Sequence, residues 1–371
     1  MSGSVGTNSG RRSGSIGTAA SGPTVSASDP AIDTNPSGGV GTQWANSSTG
    51  DFYICTTATA GENVWTNVDA GQSSIAPYAF QGSNYGYTHG GESSGPSDLN
   101  IISKFSVTSD GDSSDVGDLT ASLAYVAGCS SPLNGYAAGG QADTSIINKY
   151  SFSSDGNATD TGNLAVANTS AGAFSSETLG YLCGGYSGGY LNTIQSIPYA
   201  SDGDGADVAD MTESKLQMSG ATDTTNGYTM CGSSGSPMYS TVEKYVYSSG
   251  SNSTDIGDMT RGQYVMGGSS STTHGYSAGG DLGGSSITDT IEKFNFSGTF
   301  SVTDVGNLSG SKRGCAGQSS TTHGYVTGGG LSSASGTGIN VQDKYAFASD
   351  GDASDIGDLT SGSIYCAGTQ Y

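Results

Sequence analysis

The chain has 371 residues, 62 of them Gly, only 33% apolar, with 11 Lys and Arg against 33 Asp and Glu, a formal net charge of −22. So few cations exclude a phosphate-tracking groove for nucleic acid, which needs a basic stripe, and the same charge disfavours anionic membrane surfaces. No stretch approaches the roughly 18 apolar residues of a membrane span. Low apolar content with strong charge usually means disorder, but 21 Tyr recurring at fixed intervals argue for an ordered β-repeat.

Residues 1–40 are rich in Gly, Ser, Thr and Pro without periodicity and read as an extended attachment arm. Arg11 and Arg12 are followed by no apolar run, so no secretory signal peptide is expected, and the chain is expected to be made in a host cytoplasm. Residues 41–75 then supply Gly41 to Cys55 and Asn63 to Val68, a small β-meander with Trp44, Phe52, Tyr53 and Trp65 as its core. This stretch resembles short modules of bacteriophage tail-fibre and other virion proteins, which act as connectors before a receptor-binding head. A solvated hairpin linker is the plainer reading. The resemblance implies that residues 1–75 contact other virion proteins.

From residue 76 onward the chain repeats itself. Gly-Tyr pairs begin units at Gly86, Gly135, Gly180, Gly227, Gly275 and Gly324, spaced 49, 45, 47, 48 and 49 residues apart. A glycine doublet follows each pair, as at Gly90-Gly91, and becomes Cys231-Gly232 in the fourth unit. Each unit reads as four short strands. Strand A is a small-residue run such as Tyr125 to Gly128, strand B is the Gly-Tyr element, and strand C alternates, as in Ile147 to Phe152. A Ser-Asp-Gly turn, a strong hairpin signal because Gly accepts positive φ, leads to strand D, as in Ser114 to Thr120.

Four strands per unit of about 50 residues is the arithmetic of a propeller. The Gly-Tyr strand followed by an aromatic strand resembles the kelch repeat over residues 76–371, which implies an all-β fold: a six-bladed kelch-like β-propeller. The outer-strand Trp of kelch blades is missing; Asp-(Val/Ile)-Gly-(Asp/Asn)-Leu occupies its place. Seven strand-A candidates exist for six units, one near Ile75 to Gln81 and one at Ser363 to Gly368 competing for the first unit, and closure by the C-terminal one is expected.

Asp115, Asp160, Asp207, Asp255, Asp304 and Asp355 recur in strand D. They suggest calcium, but the terminal bidentate Glu of a calcium loop is absent. Lys104, Lys149, Lys244, Lys293 and Lys344 share one strand-C position, with Ser196 in the third unit. A half-buried ammonium needs a partner, so structural ion pairs with the strand-D Asp of the same hairpin are expected. His89, His274 and His323 are too dispersed for a metal centre. The six Cys, from Cys55 to Cys366, form no CxxC pair and read as small buried residues.

No nucleophile elbow, P-loop, zincin motif or copper-oxidase ligand set is recognisable, so no catalytic residue, metal or cofactor is expected. The B–C loops differ between units, from Glu92 to Asn100 in the first to Leu331 to Gly338 in the sixth. Such loops should share one face and carry recognition, with Tyr186, Tyr190 and Tyr239 as ligand-binding candidates able to stack on a sugar. The resemblances imply a non-enzymatic phage virion protein, a tail fibre or head or tail decoration. It would bind a host-surface glycan or protein, as a homo-oligomer, without nucleic acid or a membrane span. A cellular kelch-type interaction scaffold is the alternative, and a propeller lyase or oxidase a more distant one.

Overall fold

The structure, a computed structural model, describes residues 22–69, 74, 75, 78–95, 97–236, 238–332 and 337–371. Its described residues contain no helix; the strands form seven four-stranded sheets. The chain divides into two units, Met1–Tyr78 and Ala79–Tyr371.

In the first unit Gln43–Asn46, Phe52–Thr57 and Val64–Asn67 form the expected antiparallel meander. Tyr53, Cys55 and Trp65 are fully buried beneath the partly buried Trp44 and Ile75. Trp44 meets Trp65 edge-on at 5.9 Å, the arrangement that opposes a positive ring edge to a negative face. One expectation is corrected: Thr24–Ser26, assigned to the arm, pairs in parallel with Trp44 to Asn46 as a fourth strand. The Trp44 indole N–H donates to Ser28 O across the same junction. Of the expected arm, residues 1–21 lie outside the described residues.

The second unit holds six four-stranded antiparallel sheets. Sheet two is typical: strand A Ala127–Ser130, B Asn134–Ala138, C Ile146–Ser151 and D Thr159–Asn163. Sheet one takes its strand A from the C-terminus, where Ala367–Gln370 pairs with Tyr85–His89, so the chain end closes the ring as expected. The six A strands contact one another in a closed circle, each with the next and the last with the first.

Small residues are required at this axis. A Cβ on Gly220 would lie 1.7 Å from Ala173 O, and one on Gly317 would lie 2.0 Å from Gly268 O. The Gly-Tyr pair has a related origin: a Cβ on Gly86 would lie 2.2 Å from Phe105 Cζ, because the strand-C ring covers the glycine. The following Tyr packs against the next sheet. Tyr87 stacks on Phe152 at 5.0 Å, Tyr136 on Tyr199 at 4.8 Å, and Tyr228 on Phe296 at 4.7 Å. These rings fill the space between neighbouring sheets.

Candidate functional site

Alternate connections in an up-and-down sheet emerge on the same side. The A–B and C–D turns of the second unit therefore share one face, and the B–C loops and D–A connections share the other. At the A–B face the A strands end around Phe80. Gln81 Nε2 donates to Ser270 O and Ser320 O, Gln370 Nε2 donates to Phe80 O, and Gly82 N donates to Ser319 O. Phe80 and Gln81, the end of the segment expected as a displaced strand A, thus lie across this axial mouth, and residues 76 and 77 of that segment lie outside the described residues.

On the B–C face each D–A connection enters strand A through a residue with left-handed φ: Tyr125, Ser170, Gln217, Val265, Gly314 and Tyr365, at 54–66°. Their backbones form a closed circle. Ser170 N donates to Tyr125 O, Gln217 to Ser170, Val265 to Gln217, Gly314 to Val265, Tyr365 to Gly314 and Tyr125 to Tyr365, at 2.6–3.0 Å. This turn moves strand A two residues later than expected, to Ala127 instead of Tyr125. Five of the six residues are not Gly, so the sequence carried no signal for it.

Around this circle the Tyr125 and Tyr365 rings stack at 4.0 Å, and the Arg313 guanidinium lies 5.4 Å from the Tyr365 centroid. Arg313 pairs with the buried Asp281 at 3.4 Å, and its Nε donates to Ser332 O. Burial, then the neighbouring Tyr365, pushes the Tyr125 hydroxyl pKa above its ordinary value. Burial, then the Asp281 carboxylate, does the same to Tyr264.

Farther out, Tyr186 and Tyr190 are 37% and 41% exposed and meet edge-on at 5.7 Å. The Tyr190 hydroxyl overhangs the next B–C loop, only 2.8 Å from where a Cβ on Gly235 would sit. Tyr239 differs from expectation. It is half-buried, its hydroxyl is hydrogen-bonded to Ser234 Oγ, and Lys215 Nζ lies 5.6 Å from its ring centroid. The fifth B–C loop is a continued hairpin, His274–Gly283 with Ser286–Asn295, reversing through Gly284 and Ser285 at positive φ.

The expected ion pairs form with other partners. Lys104 pairs with Asp155 at 2.5 Å, Lys149 with Asp202, Lys293 with Asp350 at 2.6 Å and Lys344 with Asp110. In each case the carboxylate belongs to the C–D turn of the following sheet, because the lysine side chain leaves its own hairpin toward the neighbour. Asp115, Asp160, Asp255, Asp304 and Asp355 instead accept the backbone N–H two residues on, at Gly117, Gly162, Gly257, Gly306 and Gly357. That is an Asx turn within strand D. The two sheets without an Asp-Gly turn explain the exceptions. Ser196 precedes the Gly250 turn, and Lys244 precedes the Gly298 turn and has no ion-pair partner among the described residues.

The same turns grip strand D of the preceding sheet. Asp118 N donates to Asn157, Asn163 N to Asp204 and Asp358 N to Asp112. A Cβ on Gly117 would lie 2.2 Å from Gly156 O. The Asp-Gly-Asp signature that suggested calcium therefore works as a latch between sheets, and among the described residues no His, Cys, Asp and Glu group could hold a metal ion.

The two lysines outside the repeated position, which sequence reasoning passed over, make the most buried pairs. Lys215 lies 2.9 Å from Glu243, both fully buried, and Lys312 lies 2.7 Å from Asp343. Burial opposes ionisation of Glu243, but Lys215, Ser253 and the Thr212 N–H together hold its pKa below the ordinary carboxylate value. Aligning the D–A connections would have found both lysines one step before Leu216 and Arg313. All six Cys are free and buried thiols.

No protein-family model matches the chain, and no curated protein sequence matches it. A solved structure titled "Structure of YjhT" is similar, with a TM-score of 0.56 at 12% identity over 66% of this chain and 86% of that one. At that identity the likeness shows the fold alone, a β-propeller-like all-β architecture.

Proposed function

We propose that Ala79–Tyr371 is a six-bladed, kelch-type propeller whose B–C face binds a host-surface glycan, displayed by a phage virion protein. The observation that carries the binding reading is the asymmetry of the two faces. One is repetitive, acidic and crossed at its axis by Phe80 and Gln81. The other bears loops that differ from blade to blade and an exposed tyrosine pair, Tyr186 and Tyr190. Tyrosine rings offer a stacking surface and a hydroxyl at low entropic cost. The connector-like residues 41–75 and the −22 charge support a particle-borne role, with residues 1–75 toward other virion proteins and a homo-oligomeric assembly.

The test is adsorption of particles in which Tyr186, Tyr190 and Tyr239 are all Ala. Weaker adsorption by about tenfold or more, at about 0.5–1.5 kcal/mol per aromatic contact, with normal particle yield supports the reading. Unchanged adsorption removes it.

A further inference from the structure

Six equivalent backbone positions circle the axis on the B–C face, all at left-handed φ. Glycine adopts that conformation freely, and Gly314 does so at one of them. The other five carry side chains, including two tyrosines and the β-branched Val265, at a backbone angle that such residues avoid. Residues held this way persist where their surroundings over-determine them, and they cluster at ligand sites.

The side chains line a depression of about 80 Å³. That admits the edge of one small ring and no more. Its Tyr end is ordered in layers: Arg313 lies over Tyr365, and Tyr365 stacks on Tyr125, which has no further ring partner among the described residues. Beside Tyr125 in the circle come Ser170 and Gln217, whose hydroxyl and amide make no side-chain hydrogen bond among the described residues. The local charge is already balanced. Arg313 is held by Asp281; an anion entering would face Glu92, which bears on Tyr125, and a cation would face Arg313. A neutral ligand with a flat apolar face and hydroxyl edges fits what remains.

Resting on the glycan-binding reading, we propose that this axial depression seats one terminal neutral pyranose, with Tyr125 as its stacking surface and Gln217 and Ser170 as partners of its hydroxyls. The loop tyrosines Tyr186 and Tyr190 would then contact sugars farther along the chain.

The experiment is a titration of the full-length protein with methyl β-D-galactopyranoside, methyl α-D-glucopyranoside and methyl N-acetyl-β-D-glucosaminide, read by saturation-transfer NMR. The variants are Tyr125→Gly and Gln217→Gly, chosen because glycine suits the left-handed backbone, which offsets part of the Tyr365 stacking that Tyr125→Gly loses; a cooperative thermal melt shows that each keeps the fold. At least one glycoside should bind the native protein, and each variant should bind it about two- to tenfold more weakly, the range for one lost aromatic contact or hydrogen bond. The Tyr186, Tyr190 and Tyr239 triple-Ala protein should keep its affinity for the glycoside. Equal affinity in Tyr125→Gly, or no saturation transfer from any of the three glycosides, overturns the axial site. In that event loss of adsorption by the triple-Ala particles would still leave the loop reading standing.

Discussion

Lys149 bonds to Asp202 of the following sheet and leaves Asp160, across its own hairpin, to a backbone N–H. The ladder shows why: Asp160 faces Asn148, while Lys149 faces Thr159. The consequence is a mutational coupling that ignores sequence proximity. A double-mutant cycle of Lys149→Met with Asp202→Asn should show a coupling of about 0.2–1 kcal/mol in chemical denaturation. It stays small because the Asp202 side chain is 59% exposed. The cycle of Lys149→Met with Asp160→Asn should be additive.

That substitution of partners marks where the sequence was legible and where it was not. The Gly-Tyr spacing, the four strands per unit and closure by a C-terminal strand follow from local pattern, but the closing strand is Ala367–Gln370, later than the expected Ser363 to Gly368, because Ser363 still belongs to strand D. Hairpin neighbours can be read from a linear chain, but neighbours across a sheet-to-sheet boundary cannot, so the linear pattern points the lysines to the nearer aspartates. The left-handed turn at Tyr125 and its equivalents was invisible because non-glycine residues fill it. Thr24–Ser26 escaped because a three-residue parallel edge strand has no periodicity of its own. The half-burial of Tyr239 depends on Lys215, contributed by the preceding D–A connection.

The axis predicts an intolerance to the smallest possible side chain. Gly317→Ala would drive a methyl group against Gly268 O, a backbone atom that cannot rotate away. The expected loss is about 1–3 kcal/mol or more, read from the denaturation midpoint. Ala173 already carries its methyl group at the matching position, so Ala173→Gly should change stability by about 1 kcal/mol or less.

The buried Lys215–Glu243 pair predicts a rescue by imitation. Lys215→Asn alone strands a buried carboxylate and should cost about 3–5 kcal/mol. The matching positions one blade earlier hold Asn168 and Gln195, both buried. Lys215→Asn combined with Glu243→Gln should therefore be more stable than Lys215→Asn alone, in thermal melts at pH 7. A double variant worse than the single would show that the two residues do not act as a pair.

His89 predicts a pH dependence. It is fully buried, its ring nitrogens have no hydrogen-bond partner among the described side chains, and burial lowers its pKa from 6.5 to about 3. Between those values the unfolded chain binds a proton that the folded chain refuses. Stability from this group is complete above pH 6.5 and falls by about 1.4 kcal/mol per pH unit as pH drops toward 3. The corresponding residue of the fourth sheet is the buried Met230. His89→Met should flatten the stability profile between pH 4 and 6.5 relative to the native chain, measured by urea denaturation. Parallel profiles would contradict the buried neutral imidazole.

The central claim is that recognition belongs to the B–C face. Hydrogen–deuterium exchange of the intact protein, with and without a surface polysaccharide extract from the host cell, tests it directly. The account predicts added protection in Gly184–Asn192, Gly232–Ser240 and the D–A connections around Tyr125 and Tyr365, with the C–D turns at Asp110, Asp155, Asp202 and Asp350 unchanged. Protection confined to those acidic turns, or to residues 22–69, would contradict it.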